Sequence, residues 1–329
     1  MKIRNTLLLA AALALLAFGA CRDDSDRNFR SPEDAVAFSG NIRGVHATRA
    51  GDAAWDPDDA IGIYMVEAGG RIGIHSLAEN RKYTTVGQGR FRAGAPADAI
   101  CFPPDGAVVD FIAYYPQAAD LHNHLYPIDL ADQSVQPAID FLYSANAVGL
   151  TKSDRSADLV FEHRLAKVVL KVTDLTGGSL EGMTVSVSGL YTKGSFSLTD
   201  GTLSVDGDSR LDFGMKVTDT GKSTAVAEAI VLPSDLPFDY VLAFTIPSDR
   251  ASAVLPMDQV RYLAGKKYVY EINLTDRVEV GGEGEIGDWE EVPSDPVDIE
   301  KEPDEAGEGG SGEGGTGETG EGESPGEGG

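Results

Sequence analysis

Cysteine is nearly absent from this sequence: Cys21 and Cys101 are the only two among 329 residues. That excludes a disulfide-rich scaffold and a cysteine-based zinc site, so the fold must rest on packed apolar surface. Basic side chains are also scarce, 27 Lys and Arg against 53 Asp and Glu, giving a formal net charge of −26. Phosphate backbones are held by clustered Lys and Arg, so nucleic acid is excluded as a partner class. Long apolar runs are missing apart from Leu7–Phe18, whose twelve residues would span about 18 Å as a helix. The hydrocarbon core of a bilayer is about 30 Å thick, so this run is too short to cross it.

Signatures of catalysis are missing too. There is no Gly-x-Ser-x-Gly elbow, no Walker loop and no telling Cys–His pair. Five histidines occur, His46, His75, His122, His124 and His163. His122 and His124 could share one face of a strand, but no Cys or acid at zinc spacing accompanies them. Asp56, Asp58 and Asp59 in WDPDDAIG lack the register and closing Glu of a calcium loop, and read as a turn. No catalytic residue, metal site or cofactor is assigned, and the chain is not read as an enzyme.

What the sequence does have begins at its N-terminus. Lys2 and Arg4 precede the apolar run, and FGAC follows at 18–21. This is the layout of a secretory signal peptide, with small residues before a cysteine as in a bacterial lipobox. Phe18 departs from the usual Leu. Residues 1–20 are assigned as a lipoprotein signal peptide and Cys21 as the lipidated first residue of the mature chain. Ordinary cleavage near Ala20 is the alternative. Lipidation would leave Cys101 with no cysteine to bond, so no intramolecular disulfide is expected. Residues 21–36 form an acidic tether whose opening, Arg22-Asp23-Asp24-Ser25-Asp26, resembles an export signal for the outer face of the outer membrane.

Charge and periodicity divide the remainder. Residues 281–329 carry 17 acids and one base (Lys301), so −16 of the −26 sits there and −10 on the other 280 residues. Beyond Pro303 the chain is Gly, Glu, Ser and Thr apart from Asp304, Ala306 and Pro325. Such a composition cannot offset chain entropy by burial, and residues 291–329 are assigned as a disordered tail. Between tether and tail the apolar period is two: Met183–Ser188, the set Tyr240, Leu242, Phe244 and Ile246, and the set Tyr268, Tyr270, Ile272 and Leu274. Asp200-Gly201 between two alternating runs predicts a type I′ hairpin turn. The fold class is all-β, two tandem antiparallel β-sandwiches at 37–150 and 151–290, with a polar boundary at 145–158.

Eight segments in order carry a family resemblance: RAGDAAWDPDDAIGIYM (49–65), NRKYTT (80–85), ICFPPDGAVVDFIAYYP (100–116), IDLADQS (128–134), DFLYSAN (140–146), LVFEHRLAKVVLKV (159–172), YVYEINL (268–274) and IGDWEE (286–291). Behind a lipobox, they resemble the fimbrillin family of Mfa-like surface lipoproteins. The residues themselves read as packing. Ala166, Val168, Leu170 and Val172 share a face opposite Lys167 and Lys171, and Phe111, Tyr114 and Tyr115 read as core.

The resemblance implies transthyretin-like domains, a lipid anchor in the outer membrane, and a role in surface fimbriae and cell adhesion. It implies assembly with other fimbrial subunits by strand exchange, in which an Arg-specific protease releases an N-terminal edge strand and a segment from another subunit fills the groove. Here the matching strand is Val36–Val45, with Val36, Phe38 and Ile42 facing inward and Gly40 loosening it. Cleavage is expected between Arg49 and Ala50, with Arg43 as the second choice. A stalk subunit must also donate a strand, and Val292–Ile299 is interrupted by Pro293 and Pro296, each lacking a donor N–H. A tip, accessory or non-polymerising role fits that. The rival reading, a glycan-binding lipoprotein of a nutrient-uptake system, needs exposed Trp platforms, and only Trp55 and Trp289 exist.

Overall fold

The computed structural model describes residues 35–43, 55–247, 251–275, 297–300 and 302–303. Cys21, Arg49, Ala50 and Trp289 lie outside them. The architecture is all-β, as the two-residue period requires. The first half contributes β1 (Ala37–Ile42), β2 (Pro57–Glu67), β3 (Ser76–Val86), β4 (Arg90–Ala93), β5 (Val109–Tyr115), β6 (Leu125–Asp129), β7 (Leu142–Leu150) and β8 (Ser156–His163). Seven of these close into a barrel in the order β1-β4-β3-β2-β5-β7-β8. β8, which follows residue 150, is thus part of this barrel.

The second unit is a two-sheet sandwich. Its strands are β9 (Ala166–Asp174), β10 (Thr184–Ser188), β11 (Lys193–Ser197), β12 (Thr202–Val205), β13 (Phe213–Gly214), β14 (Lys216–Gly221), β15 (Thr224–Val231), β16 (Phe238–Ile246), β17 (Ala251–Val260), β18 (Lys267–Thr275), β19 (Val297–Glu300) and β20 (Glu302–Pro303). One sheet runs β13-β10-β16-β17-β20 and the other β14-β15-β9-β18-β19. The alternating sets read from sequence all turn inward: Val185 and Val187, Tyr240 to Ile246, and Tyr268 to Leu274 are buried.

Two features depart from the sequence reading. Residues 297–300 and 302–303, assigned to the disordered tail, form β19 and β20; β19 pairs in parallel with β18, and Ile299 is buried in the sandwich core. Pro293 and Pro296 precede this strand and do not interrupt it. The Asp200-Gly201 turn is longer than a two-residue hairpin: Ser197 pairs with Thr202, Gly201 alone of the pair has positive φ, and Gly201 N–H donates to Ser197 O at 2.8 Å. The Asp200 side chain instead accepts from the Thr202 backbone and hydroxyl. Cys101 is buried next to the start of β1, its backbone bridged to Ala35; the chain's other cysteine, Cys21, lies outside the described residues.

The two units are stitched together. A third sheet, β12-β11-β6, pairs the second unit's hairpin with a strand of the first, Phe196 opposite Tyr126. Beneath it lies a shared apolar cluster including Tyr64, Tyr114, Phe141, Leu165, Phe196 and Ile230. Lys167, expected on an outward face, is buried because its partner Ile230 belongs to this cluster; its Nζ lies 3.2 Å from Glu228. Gln133 adds a polar clasp: its amide donates to Ile230 O at 3.0 Å and accepts from Ile230 N–H at 2.8 Å. One side chain thus imitates a strand partner for β15.

Candidate functional site: the strand that closes the barrel

β1 is short, six residues, yet it has neighbours on both sides. It pairs in parallel with β8 over Ala37–Ile42 and antiparallel with β4 through Phe38↔Phe91 and Ser39↔Arg90. It is therefore no edge strand, as the family resemblance implied; it is the element that closes the barrel. Further backbone bonds extend its grip: Val36 N–H to Ile100 O at 3.0 Å, Ala37 N–H to Arg155 O at 3.1 Å, Gly40 N–H to Gly89 O at 2.7 Å, and Arg43 N–H to Phe161 O at 2.8 Å.

Alternation sends Val36, Phe38 and Gly40 inward, and Ile42 is half-buried against the same core. The Phe38 ring meets Tyr83 and Phe111 edge-on at 4.9 and 5.2 Å. Gly40 does not loosen the strand. A Cβ there would lie 2.8 Å from the Phe91 ring and 3.0 Å from the Phe161 ring, so glycine is what lets the backbone pass between them. The Trp55 indole N–H donates to Gly40 O at 2.7 Å, and its ring packs edge-on against Phe91, Phe161 and Tyr115. Trp55 is thus buried, not a platform exposed to a sugar.

Removing β1 from this arrangement would uncover backbone groups of β8 and β4 and a trough lined by Tyr83, Phe91, Phe111, Phe161 and Trp55. Unpaired buried backbone groups and exposed apolar surface are both costly, and a strand of alternating apolar side chains relieves both. Hydrogen bonds tie the trough walls to neighbouring segments. Tyr83 OH accepts from Ile100 N–H at 2.8 Å, and burial pushes the Tyr83 hydroxyl up to about 12. Tyr115 OH donates to Asp59 at 2.9 Å; burial raises the Asp59 carboxyl above its ordinary range. Asp59 also accepts from the Asp56 backbone, so these aspartates form a turn at the start of β2.

Arg43 lies just past β1 and is engaged, its guanidinium 2.7 Å from Glu162. Arg49 and Ala50 fall in the link between β1 and β2, outside the described residues. His163 is buried with Nδ1 3.0 Å from Asp140, joining the start of β7 to the end of β8, a packing role. His122 and His124 occupy a short 3₁₀ turn before β6, where the His124 ring meets Tyr64 edge-on.

A family model described as fimbrillin-like matches residues 48–289. The chain belongs to the fimbrillin-like family. This fimbrillin is 32% identical over 301 residues to a Bacteroides uniformis protein named as the proposed fimbrium subunit Fim1C, covering 87% of this chain and 96% of that one. A crystal structure of a proposed cell adhesion protein from Bacteroides uniformis is similar, with a TM-score of 0.61 and 28% identity over 83% of this chain and 98% of that one. A second, from Bacteroides ovatus, shares the fold at a TM-score of 0.60 and 24% identity, over 73% and 91% of the two chains. Sequence reasoning read Phe38 as inward-facing and Phe111 as core, but did not single out Phe91 and did not find the closure of the barrel. Parallel pairing of β1 with β8 joins segments more than a hundred residues apart, and no local pattern encodes it.

Proposed function

We propose that this fimbrillin is a subunit of a surface fimbrium, held in the outer membrane through lipid on Cys21 and assembled by strand exchange at the barrel. In this reading an Arg-specific cut between Arg49 and Ala50 severs the link that holds β1 in place. β1 leaves, and a strand from another subunit takes its position between β4 and β8. The observation that carries the reading is the double pairing of β1: one short strand closes the barrel, and its loss creates a groove complementary to a strand.

Arg49 is preferred over Arg43 because Arg43 is tied by its backbone to Phe161 and by its side chain to Glu162. The formation of β19 weakens the argument against a donor role, since Ile299 fills an apolar site while its backbone pairs with β18. A stalk position is therefore as compatible as a tip or accessory one.

Arg49→Ala in cells that assemble the fimbrium tests the reading. Wild-type surface protein is expected as SDS-resistant ladders, and Arg49→Ala protein as monomer at the same surface level. Ladders of undiminished length in Arg49→Ala would overturn release at this bond.

A further inference from the structure

The β3–β4 face is a basic part of an acidic molecule. Residues 76–93 hold Arg81, Lys82, Arg90 and Arg92 against one acid, Glu79, a net charge of +3 in a chain of −26. Lys82, Arg90 and Arg92 are exposed. Arg90 and Arg92 are two residues apart on one strand, about 7 Å, and alternation puts them on the same side. Thr84 pairs with Arg92, which places Lys82 diagonally across from it, about 7–8 Å away. None of the three forms an ion pair among the described residues. Two acids lie beside this face and are engaged elsewhere: the Asp98 carboxylate accepts from Ala95 N–H at 3.0 Å, and the Asp158 carboxylate accepts from the hydroxyl of Ser39, the residue opposite Arg90. Three like charges in such proximity repel one another and attract a polyanion.

The chain itself supplies one. Residues 304–329 carry eight acids, no base and twelve glycines. We propose that this acidic segment docks within its own chain on the face formed by Lys82, Arg90 and Arg92. Twenty-six residues reach about 86–94 Å when extended, and a Gly-rich coil of that length has a typical span of about 25–31 Å. A folded body of about 250 residues has a radius of gyration near 18 Å, so the face is within reach from Pro303. Tethering sets a local concentration of order millimolar, which favours the chain's own segment over free anions. Spaced by glycine, the carboxylates adapt to the spread of the three cations without a fixed geometry. The docked segment covers the face against external polyanions, and the inference does not depend on strand exchange.

The test uses the full chain and a zero-length carbodiimide, which links amines to carboxylates in contact. No Lys or Arg follows Lys301, so trypsin leaves the acidic segment as one peptide. At about 0.01 M salt, where the Debye length is about 30 Å, the monomer fraction is expected to show that peptide joined to Lys82. Near 1 M salt, where screening acts within about 3 Å, the link should fall at least fivefold. It should fall as much in Arg90→Glu/Arg92→Glu, which keeps Lys82. Links spread over other exposed lysines, links confined to covalent dimers, or Lys82 links unchanged in the double variant would each overturn the proposal. A second arm measures binding of dextran sulfate. A variant with the eight acids changed to Gln or Asn should bind it at least tenfold more tightly than the parent; equal binding would overturn the proposal and assign the face to an external polyanion.

Discussion

The barrel and the sandwich bury their cores in different ways. The barrel packs rings: Phe38, Trp55, Tyr83, Phe91, Phe111 and Phe161 meet largely edge-on around one closing strand. The sandwich packs valine, leucine, isoleucine and alanine between two sheets, with Ala225, Ala227 and Ala229 in a row on β15. Its tyrosines gather at one place, where the hydroxyls of Tyr240 and Tyr262 lie 2.5 Å apart. Each unit is completed by a strand from one end of the described chain, β1 in the barrel and β19 in the sandwich. The completions are unequal. β1 lies between two strands and beneath large rings, whereas β19 sits at a sheet margin and pairs with β18 alone. A closing strand flanked on both sides leaves a groove when removed, while a marginal strand leaves an edge.

That contrast can be broken most directly by truncating the two completing side chains. Phe38→Ala is expected to destabilise the barrel by about 3–5 kcal/mol, and Ile299→Ala the sandwich by about 2 kcal/mol, the lower end for buried aliphatics. Urea unfolding of both variants checks this, and equal losses would erase the distinction. Gly40→Val should come next. Its added methyls meet the Phe91 and Phe161 rings, and overpacking of this kind costs about 1–3 kcal/mol. A larger loss of barrel than of sandwich protection in hydrogen exchange would show that the strain stays local.

Gln133→Ala sharpens the comparison at the seam. It leaves Ile230 N–H and C=O without their amide partner in a buried place, at a cost of about 1–3 kcal/mol. Separate melting of barrel and sandwich by calorimetry is the expected signature. The smallest effect belongs to Asp129→Asn on β6, which removes a 3.0 Å ion pair with Lys193 on β11. Both groups are exposed, so the loss is about 0.2–1 kcal/mol at neutral pH. The Lys193 hydrogen bond lowers the Asp129 pKa below its ordinary 3.8. Its contribution is therefore present above that value and disappears as pH falls through the lowered one. Parent and variant should converge in stability in acid.

How much of this was legible in sequence follows the range of each interaction. Alternation in Tyr240–Ile246 and Tyr268–Leu274 is local, and it named both the strands and their buried rows. The eight ordered segments marked the family. Barrel closure was not legible, because Phe38↔Ala157 and Phe38↔Phe91 are tertiary pairings with no short-range signal. Gly40 looked like a weak point, since glycine alone favours no strand; only the rings on either side show why it is needed. Lys167 looked solvent-facing until the second unit's neighbour, Ile230, was seen in the shared cluster. Residues 297–303 were lost to composition, because their acidic, proline-flanked context outweighed the Val-x-Ile alternation within them. The candidate groove was thus partly visible: Val36, Phe38, Ile42 and Phe111 could be named, while Phe91 and the enclosure could not.

The central claim is that β1 is a temporary closure, and the N-terminal residue of protein recovered from assembled surface fimbriae tests it most directly. The account predicts chains that begin at Ala50 and lack Val36–Ile42. Fimbriae built from chains that still begin at a lipidated Cys21, with β1 retained, would contradict it.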